Sequence, residues 1–295
     1  MTVGETVVGL PQDTGPLVYY YNEAEFERLG LTVPTDVASL TVTAEAAAAQ
    51  GHYAAAFTPD EAWNWLAAQS AAAGDTWFSA VDGEWKVETD GPGSQVVATL
   101  WQGLIDSGSV PVEERWADAF TQMLTDGRLI GHVGAAWEAG FLLDPLDGTP
   151  AEGQWRVAQL PDLGAGPVTG PDGGSGVAVM EGCERPAEAV EFAAWFNTQI
   201  DDLASQGLVV AATGTPATPE KMTRQFGGQD VLGELATANA NLAPDFPYAP
   251  GFGSLIAMNE QAAKVTSGAT VASVFDVAQT TAVTSLTNLG LPVSE

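Results

Sequence analysis

Apolar and β-branched residues come in short runs broken by proline and glycine clusters, and the spacing inside each run separates strands from helices. Residues 5–10 (ETVVGL) read as a strand stopped by Pro11, PQDTGP as a turn, and LVYYYN (17–22) as a second strand. Asn22 stands where it caps a short helix, EAEFERLG, which Gly30 ends. Thr35 or Asp36 opens an Ala-rich helix closed by Gly51, and Pro59 precedes a helix from Asp60 to Ala73. TWFSAV and EWKVE form a hairpin across Asp82–Gly83. Pro92 precedes a helix in which Val96, Val97, Leu100, Trp101, Leu104 and Ile105 fall on one face. Residues 114–126 predict an amphipathic helix, and LIGHVGAAW (129–137) a buried strand running into a helix start. WRVAQLP (155–161) is a strand, the Gly/Pro-rich stretch 162–176 a loop, SGVAVM a strand, and 186–199 a helix with Pro186 at its first turn. Short helices fill 201–250, and helices over 252–266 and 270–288 are separated by Gly268. Strands and helices mix without an internal repeat, which predicts an α/β chain with more than one lobe.

The phase of these elements sorts the aromatic residues. Trp65 and Trp101 lie on the apolar faces of their helices and are expected in the core, whereas Trp63 stands between core and surface. Trp137 follows two small alanines at a strand end and precedes Glu138, a place suited to a ligand. Tyr19 and Tyr21 alternate with Tyr20, so one face is buried and the other is free to face a cleft; the core is the simpler expectation.

Charge narrows the functions. The chain has 295 residues with 38 acidic against 9 basic, a net charge of -29. Such a surface repels nucleic acid and anionic lipid, and no arginine cluster collects an anionic substrate. Cys183 is the single cysteine, and His52 and His132 are the only histidines, so an intrachain disulfide is excluded and neither a zinc site nor a cofactor is expected. GGSGV (173–177) lacks the spacing of a serine-hydrolase elbow, and both histidines lie upstream of it. The glycine-rich stretch 162–176 leads into a strand and holds no lysine, which removes a phosphate loop.

Four segments carry the remaining signal. LPQDTGPLVYYYN (10–22) exposes Asp13 between two strands; FTPDEAWNWL (57–66) brings Asp60, Trp63 and Asn64 to a helix start; GHVGAAWEAGF (131–141) sets Trp137 at a strand end; GPDGGSGVAV (170–179) carries Gly174 and Ser175. Strand-to-helix junctions are where open α/β sheets hold ligands. A flat indole beside carboxylates and amides suits a sugar, whose C–H face stacks while its hydroxyls donate to Asp and Asn. With 38 acids, a carboxylate pair for glycoside hydrolysis is the enzymatic alternative.

Taken in order, these segments resemble the extracellular solute-binding proteins of sugar ABC importers, the group that includes maltose-binding protein. LPQDTGPLVYYYNEAEFERLGL looks like that family's first crossover between lobes, GRLIGHVGAAWEAGF like its small-residue run ending in Trp, and GGSGVAVMEGCERPAEAVEFAAWF like its second crossover. The tail from Phe252 looks like its paired C-terminal helices. The usual Trp-Asp-Glu opening after the linker is replaced by DVASL. The resemblance implies a two-lobed α/β fold of periplasmic-binding-protein type. One lobe, over 12–172 and 250–295, is complete; 1–11 and 173–249 are a remnant of the N-terminal lobe, whose first strands would precede residue 1. Val190, Phe192, Trp195 and Phe196 then lack a partner. With half the cleft absent, residues 1–295 alone are expected to bind sugar weakly or not at all.

The resemblance further implies a monomeric, non-enzymatic protein outside the cytoplasm, held to the membrane only through a lipid anchor that this chain does not contain. It would close on a neutral mono- or oligosaccharide about hinges near 9–16, 172–178 and 246–252 and deliver it to a membrane permease. The expected ligand contacts are Asp13, Asp60, Trp63, Asn64, Trp137, Gly174, Ser175 and Phe252.

Overall fold

The computed structural model describes residues 2–3, 6–214, 216–244 and 246–294. Strands β1 (Thr2–Val3) and β2 (Thr6–Val7) pair with each other, and the chain then enters one long strand, β3 (Leu10–Asn22). Helices α1 (Glu23–Leu29), α2 (Val37–Ala48) and α3 (Ala62–Ala72) follow. After them come the hairpin β4 (Phe78–Val81) and β5 (Glu84–Val87), then α4 (Pro92–Asp106) and α5 (Asp118–Thr125). Strands β6 (Gly131–Ala135), β7 (Trp155–Gln159) and β8 (Pro171–Val177) lead to α6 (Pro186–Asn197), α7 (Ile200–Ser205) and β9 (Val209–Val210). Helices α8 (Glu220–Gln225), α9 (Val231–Ala240), α10 (Ala257–Ala262) and α11 (Val271–Asn288) complete the chain.

Local chemistry accounts for most of these ends. The Asn22 side chain accepts the Glu25 N–H, and Gly30 closes α1 in the left-handed region at φ 68°. Asp36 and Ser39 form a reciprocal cap on α2. Asp82 and Gly83, at φ 53° and 85°, give the hairpin turn whose twist matches its strands.

Two expectations fail here. The strand expected over 5–10 and that over 17–22 are not separated by a turn: β3 runs through 11–16 unbroken from Leu10. Its prolines are accommodated by register shifts against β8 between Pro11 and Asp13 and between Thr14 and Pro16. (Glu5 lies outside the described residues.) The strand expected over 175–180 instead starts at Pro171, inside the glycine-rich stretch. A Cβ at Gly15 would collide with the Asp172 carbonyl, so glycine permits the two backbones to approach.

Strand β3 belongs to two ladders. Its second half lies antiparallel between β6 and β7, with Leu17 opposite Ala135 and Val18 opposite Gln159. Its first half pairs with β8 and β9, with Thr14 opposite Gly174 and Val209. Alternate side chains of the second half enter different cores. Leu17 and Tyr19 face a core with Trp65, Trp77 and Trp101, filled by α2, α3, α4, α10 and α11. Val18 and Tyr20 face a core with Phe120, Trp155 and Phe226. Both faces of the sheet are covered, so both tyrosines are fully buried, and each hydroxyl donates to a carbonyl, Ala54 at 2.7 Å and Ala135 at 2.8 Å.

Trp65 and Trp101 are core, as their phase predicts; the Trp65 indole N–H donates to the Val133 carbonyl at 2.9 Å and that of Trp101 to Gln69 at 2.7 Å. Ala204, Val209, Met222, Phe226 and the buried face of α9 share the second core with residues 120–157, so the division drawn at 173–249 does not coincide with a boundary between cores. Helix α6 stands apart, burying only Ala193 and Asn197 while Val190, Phe192, Trp195 and Phe196 remain exposed.

Candidate functional site

The site grows from the end of β6. Every residue of that strand is buried and small except His132 and Val133, which draws neighbouring elements close. Glu138 turns the chain: its carboxylate accepts the Ala135 N–H at 2.8 Å, ending the strand in a 3₁₀ turn over Ala136–Gly140. Trp137 at the head of that turn remains half-buried. Its ring is fixed from three sides. The indole N–H donates to the Asp172 carbonyl at 2.9 Å, Phe141 stacks at 5.7 Å with planes 27° apart, and the Arg115 guanidinium lies 4.9 Å from the ring centre.

Arg115 organises the charges beneath the ring. It is 3% exposed, ion-paired to the fully buried Glu138 and, at 3.1 Å, to Glu61. Its backbone N–H donates to Asp60 at 2.8 Å. Burial alone would push Glu138 up, but Arg115 and then His132, 2.9 Å from its other oxygen, more than offset it and hold the carboxyl below its ordinary value. Burial alone would likewise lower Arg115; Glu138, Asp172 and Glu61 outweigh it and raise the group. Asp172 goes the other way: burial pushes its carboxyl up to about 7, Arg115 opposing and Glu138 and Glu61 adding to the rise. One Asp172 oxygen has no hydrogen-bond partner among the described residues. The carboxylates outnumber the single buried cation, so the site does not attract an anion.

A carboxyl raised in the folded state makes stability fall as pH climbs from the ordinary carboxylate range towards 7. Asp172→Asn keeps the shape and removes that proton. Thermal melts are expected to show the variant gaining on the wild type at pH 8 relative to pH 5; a constant difference would contradict the placement.

The residues expected to meet a ligand fall into two groups. Asp60, Trp63 and Phe252 meet on one side. The Trp63 and Phe252 rings are 5.6 Å apart, and Asn259 joins the Trp63 N–H to the Asp60 carbonyl. Phe252 packs on Tyr248 at 4.7 Å, and the Tyr248 hydroxyl donates to the Pro171 carbonyl at 3.1 Å. From Pro171 the contacts pass through Asp172 to Trp137 and Arg115 and return to Asp60, closing a ring of aromatic and acidic groups. Asp13, Gly174 and Ser175 form the second group, on the ladder between β3 and β8. There the Ser175 hydroxyl donates to the buried Asp13 carboxylate, joining the two strands. Asn64 is half-buried, and its side chain makes no hydrogen bond among the described residues.

A family model described as bacterial extracellular solute-binding protein matches residues 2–199. The chain belongs to that family. The galacto-N-biose/lacto-N-biose I-binding protein of the ABC transporter from Bifidobacterium longum, solved with lacto-N-biose, is 46% identical; the match covers 99% of this chain and 74% of that one at a TM-score of 0.94. The ABC transporter associated binding protein from B. animalis subsp. lactis Bl-04, solved with β-1,6-galactobiose, is 20% identical, with coverage of 100% and 77% and a TM-score of 0.84. The cyclic α-maltosyl-1,6-maltose binding protein from Arthrobacter globiformis is 19% identical, with coverage of 97% and 74% and a TM-score of 0.67. These last two share the fold. No match was found among curated protein sequences.

The two-lobed α/β class expected from the sequence is therefore the solute-binding fold. Within this solute-binding protein, sequence reasoning missed Glu61, Arg115, Asp172 and Tyr248. The one signal available for Arg115 was rarity, since it is one of six arginines in an acidic chain. Among the described residues no helix is long and apolar enough to cross a membrane, and no group of His, Cys, Asp and Glu could hold a metal ion.

Proposed function

We propose that the chain binds a neutral mono- or oligosaccharide in the ring formed by Trp137, Asp60, Trp63, Phe252 and Tyr248, performs no reaction on it, and passes it to the membrane permease of an ABC importer. The observation that carries this reading is the half-buried Trp137 indole, fixed edge and face by Asp172, Phe141 and Arg115 over a network in which acids outnumber cations. A fixed indole offers a flat surface for the C–H face of a sugar ring, and the surrounding carboxylates accept hydroxyl donors. The sugars named for the similar binding proteins, lacto-N-biose and β-1,6-galactobiose, are uncharged disaccharides.

Delivery works by hinge closure. One lobe is 12–172 with 250–295, joined by the segments from Ala204 to Ala238 that share its second core; 1–11 and helix α6 belong to the other. The hinges lie where β3 leaves one ladder for the next and where β8 follows it, with Gly173 and Gly174 at φ 87° and 97°. Asp13 and Ser175 hold those strands in register rather than touching the sugar. The protein works outside the cytoplasm as a monomer.

Tryptophan fluorescence titrations of the intact protein test the reading. Saturable binding is expected with lacto-N-biose or β-1,6-galactobiose and none with glucuronic acid, and the sugar is expected to come back unchanged after long incubation. Binding of the acid alone, or cleavage of the disaccharide, overturns it.

A further inference from the structure

The turn that carries Trp137 ends at Gly140, where there is no room for a side chain. A Cβ on Gly140 would stand 2.8 Å from the Gln206 carbonyl oxygen and 3.0 Å from the Gly207 Cα. The converse holds across the contact. A Cβ on Gly207, whose φ is 87°, would stand 2.5 Å from the Gly140 Cα and 3.7 Å from the carbonyl oxygen of Trp137 itself. The two backbones lie directly on each other, which a pair of glycines permits. The packing around them is small and buried: Ala136 and Ala139 of the turn share the second core with Ala204 of α7 and Val209 of β9.

A polar contact holds the same residue from another element. The Lys221 ammonium, on α8, donates to the Gly140 carbonyl at 2.9 Å and pairs with Asp144 at 2.5 Å. The turn does not need this bond to close, because the N–H groups of Phe141 and Leu142 already donate to the Glu138 carbonyl. Gly140 is thus gripped by α8 and by the connection between α7 and β9, while its neighbour Phe141 stacks on Trp137. That connection leads straight into β9, whose Val209 and Val210 pair with Thr14 and Asp13 of β3. The backbone beneath the indole therefore rests on the segment that also holds the first half of β3.

We infer that Lys221 and the Gly140–Gly207 contact are positioning elements: they set the height and tilt of the turn over Ala136–Gly140, and so the face that Trp137 offers to a sugar, without touching the sugar themselves. This rests on the Trp137 pocket proposed above. The Asp172 carbonyl and Arg115 hold the ring, whereas Gly207 and Lys221 hold the backbone from which the ring projects. A binding face has to be kept within about 0.5 Å of its productive place. A shift at Gly140 carries Phe141 and Trp137 with it and misaligns that face.

A double-mutant cycle in the intact protein tests this, with lacto-N-biose as the probe and calorimetry as the readout. Lys221→Met removes the bond to Gly140 with little change of volume. Arg224→Met is the control: it lies on the same helix and breaks an exposed pair, to Glu152 at 2.9 Å, that does not reach the turn. Both are expected to melt close to the wild type, since exposed pairs contribute little. Lys221→Met is expected to weaken binding by about threefold or more, the lower range of coupling between residues in contact, and Arg224→Met to leave it unchanged. Lys221→Arg keeps a donor and is expected to recover part of the loss. In a Trp137→Ala background, Lys221→Met is expected to make no further difference, because the ring it positions is gone. Wild-type affinity in Lys221→Met, or the same loss with Trp137 present and absent, overturns the inference and leaves the pocket standing. Failure of the wild-type protein to bind lacto-N-biose, or full affinity in Trp137→Ala, removes the pocket reading and the positioning role with it.

Discussion

Replacing Arg115 by methionine is expected to destabilise the protein by about 3–5 kcal/mol, the range for breaking a buried ion pair by deleting one partner. Methionine keeps much of the side-chain volume and removes the charge, leaving Glu138 fully buried with its contact to His132 but without its guanidinium. Glu61 and Asp172 lose the same partner. The contribution of Glu138 to the pH dependence changes sign with the variant. In the wild type the depressed Glu138 carboxyl contributes stability that is present above the ordinary carboxylate pKa and lost as pH falls. Without Arg115, burial dominates and raises that carboxyl, so the variant should recover stability as pH falls towards the carboxylate range. Denaturant unfolding at pH 8 and pH 5 checks the loss and the recovery of the variant; the wild-type loss lies below the ordinary carboxylate range. A loss below about 1 kcal/mol at pH 8, the level of an exposed pair, would show that the network is not buried as described. Arg115→Lys retains a charge but not the fork that reaches Glu138 and Glu61 together, and should fall between.

Trp137→Ala is expected to weaken sugar binding at least tenfold, about 1.4 kcal/mol. The change deletes the stacking surface and frees the Asp172 carbonyl that the indole N–H now satisfies. It also removes one of the two rings on Arg115 and the ring beneath Phe141. Trp137→Phe keeps an aromatic face without the N–H and should retain part of the affinity, which separates stacking from hydrogen bonding. Because the ring is half-buried, both variants should keep the wild-type circular dichroism spectrum. Undiminished affinity in the alanine variant, measured by calorimetry, contradicts the assignment.

How much of the structure is legible in the chain follows from the range of the interactions involved. Helical phase identified Trp65 and Trp101 as core because burial of one helix face is a local pattern. The Asp82–Gly83 hairpin and the caps at Asn22 and Asp36 are local as well. The placement of Trp137 just after β6 was legible because a strand of small residues ending in an aromatic marks a junction at the sheet rim. The continuity of β3 was not: two prolines read as a turn, and only the bulges against a strand some 160 positions later absorb them. The Arg115 network was hidden for the same reason, since Glu61, Glu138 and Asp172 converge from three separate elements. Val96, placed on the buried face of α4 by its spacing, is exposed because the neighbouring helices cover only the Val97–Trp101–Leu104 side.

A crystal structure of the intact protein soaked with lacto-N-biose tests the account most directly. One sugar ring should lie flat on the Trp137 indole at about 4 Å, the contact distance of packed carbon atoms, with hydroxyls on the acids around Arg115. Density for the sugar elsewhere on the molecule, with Trp137 untouched and still in contact with Phe141 and Arg115, would contradict it.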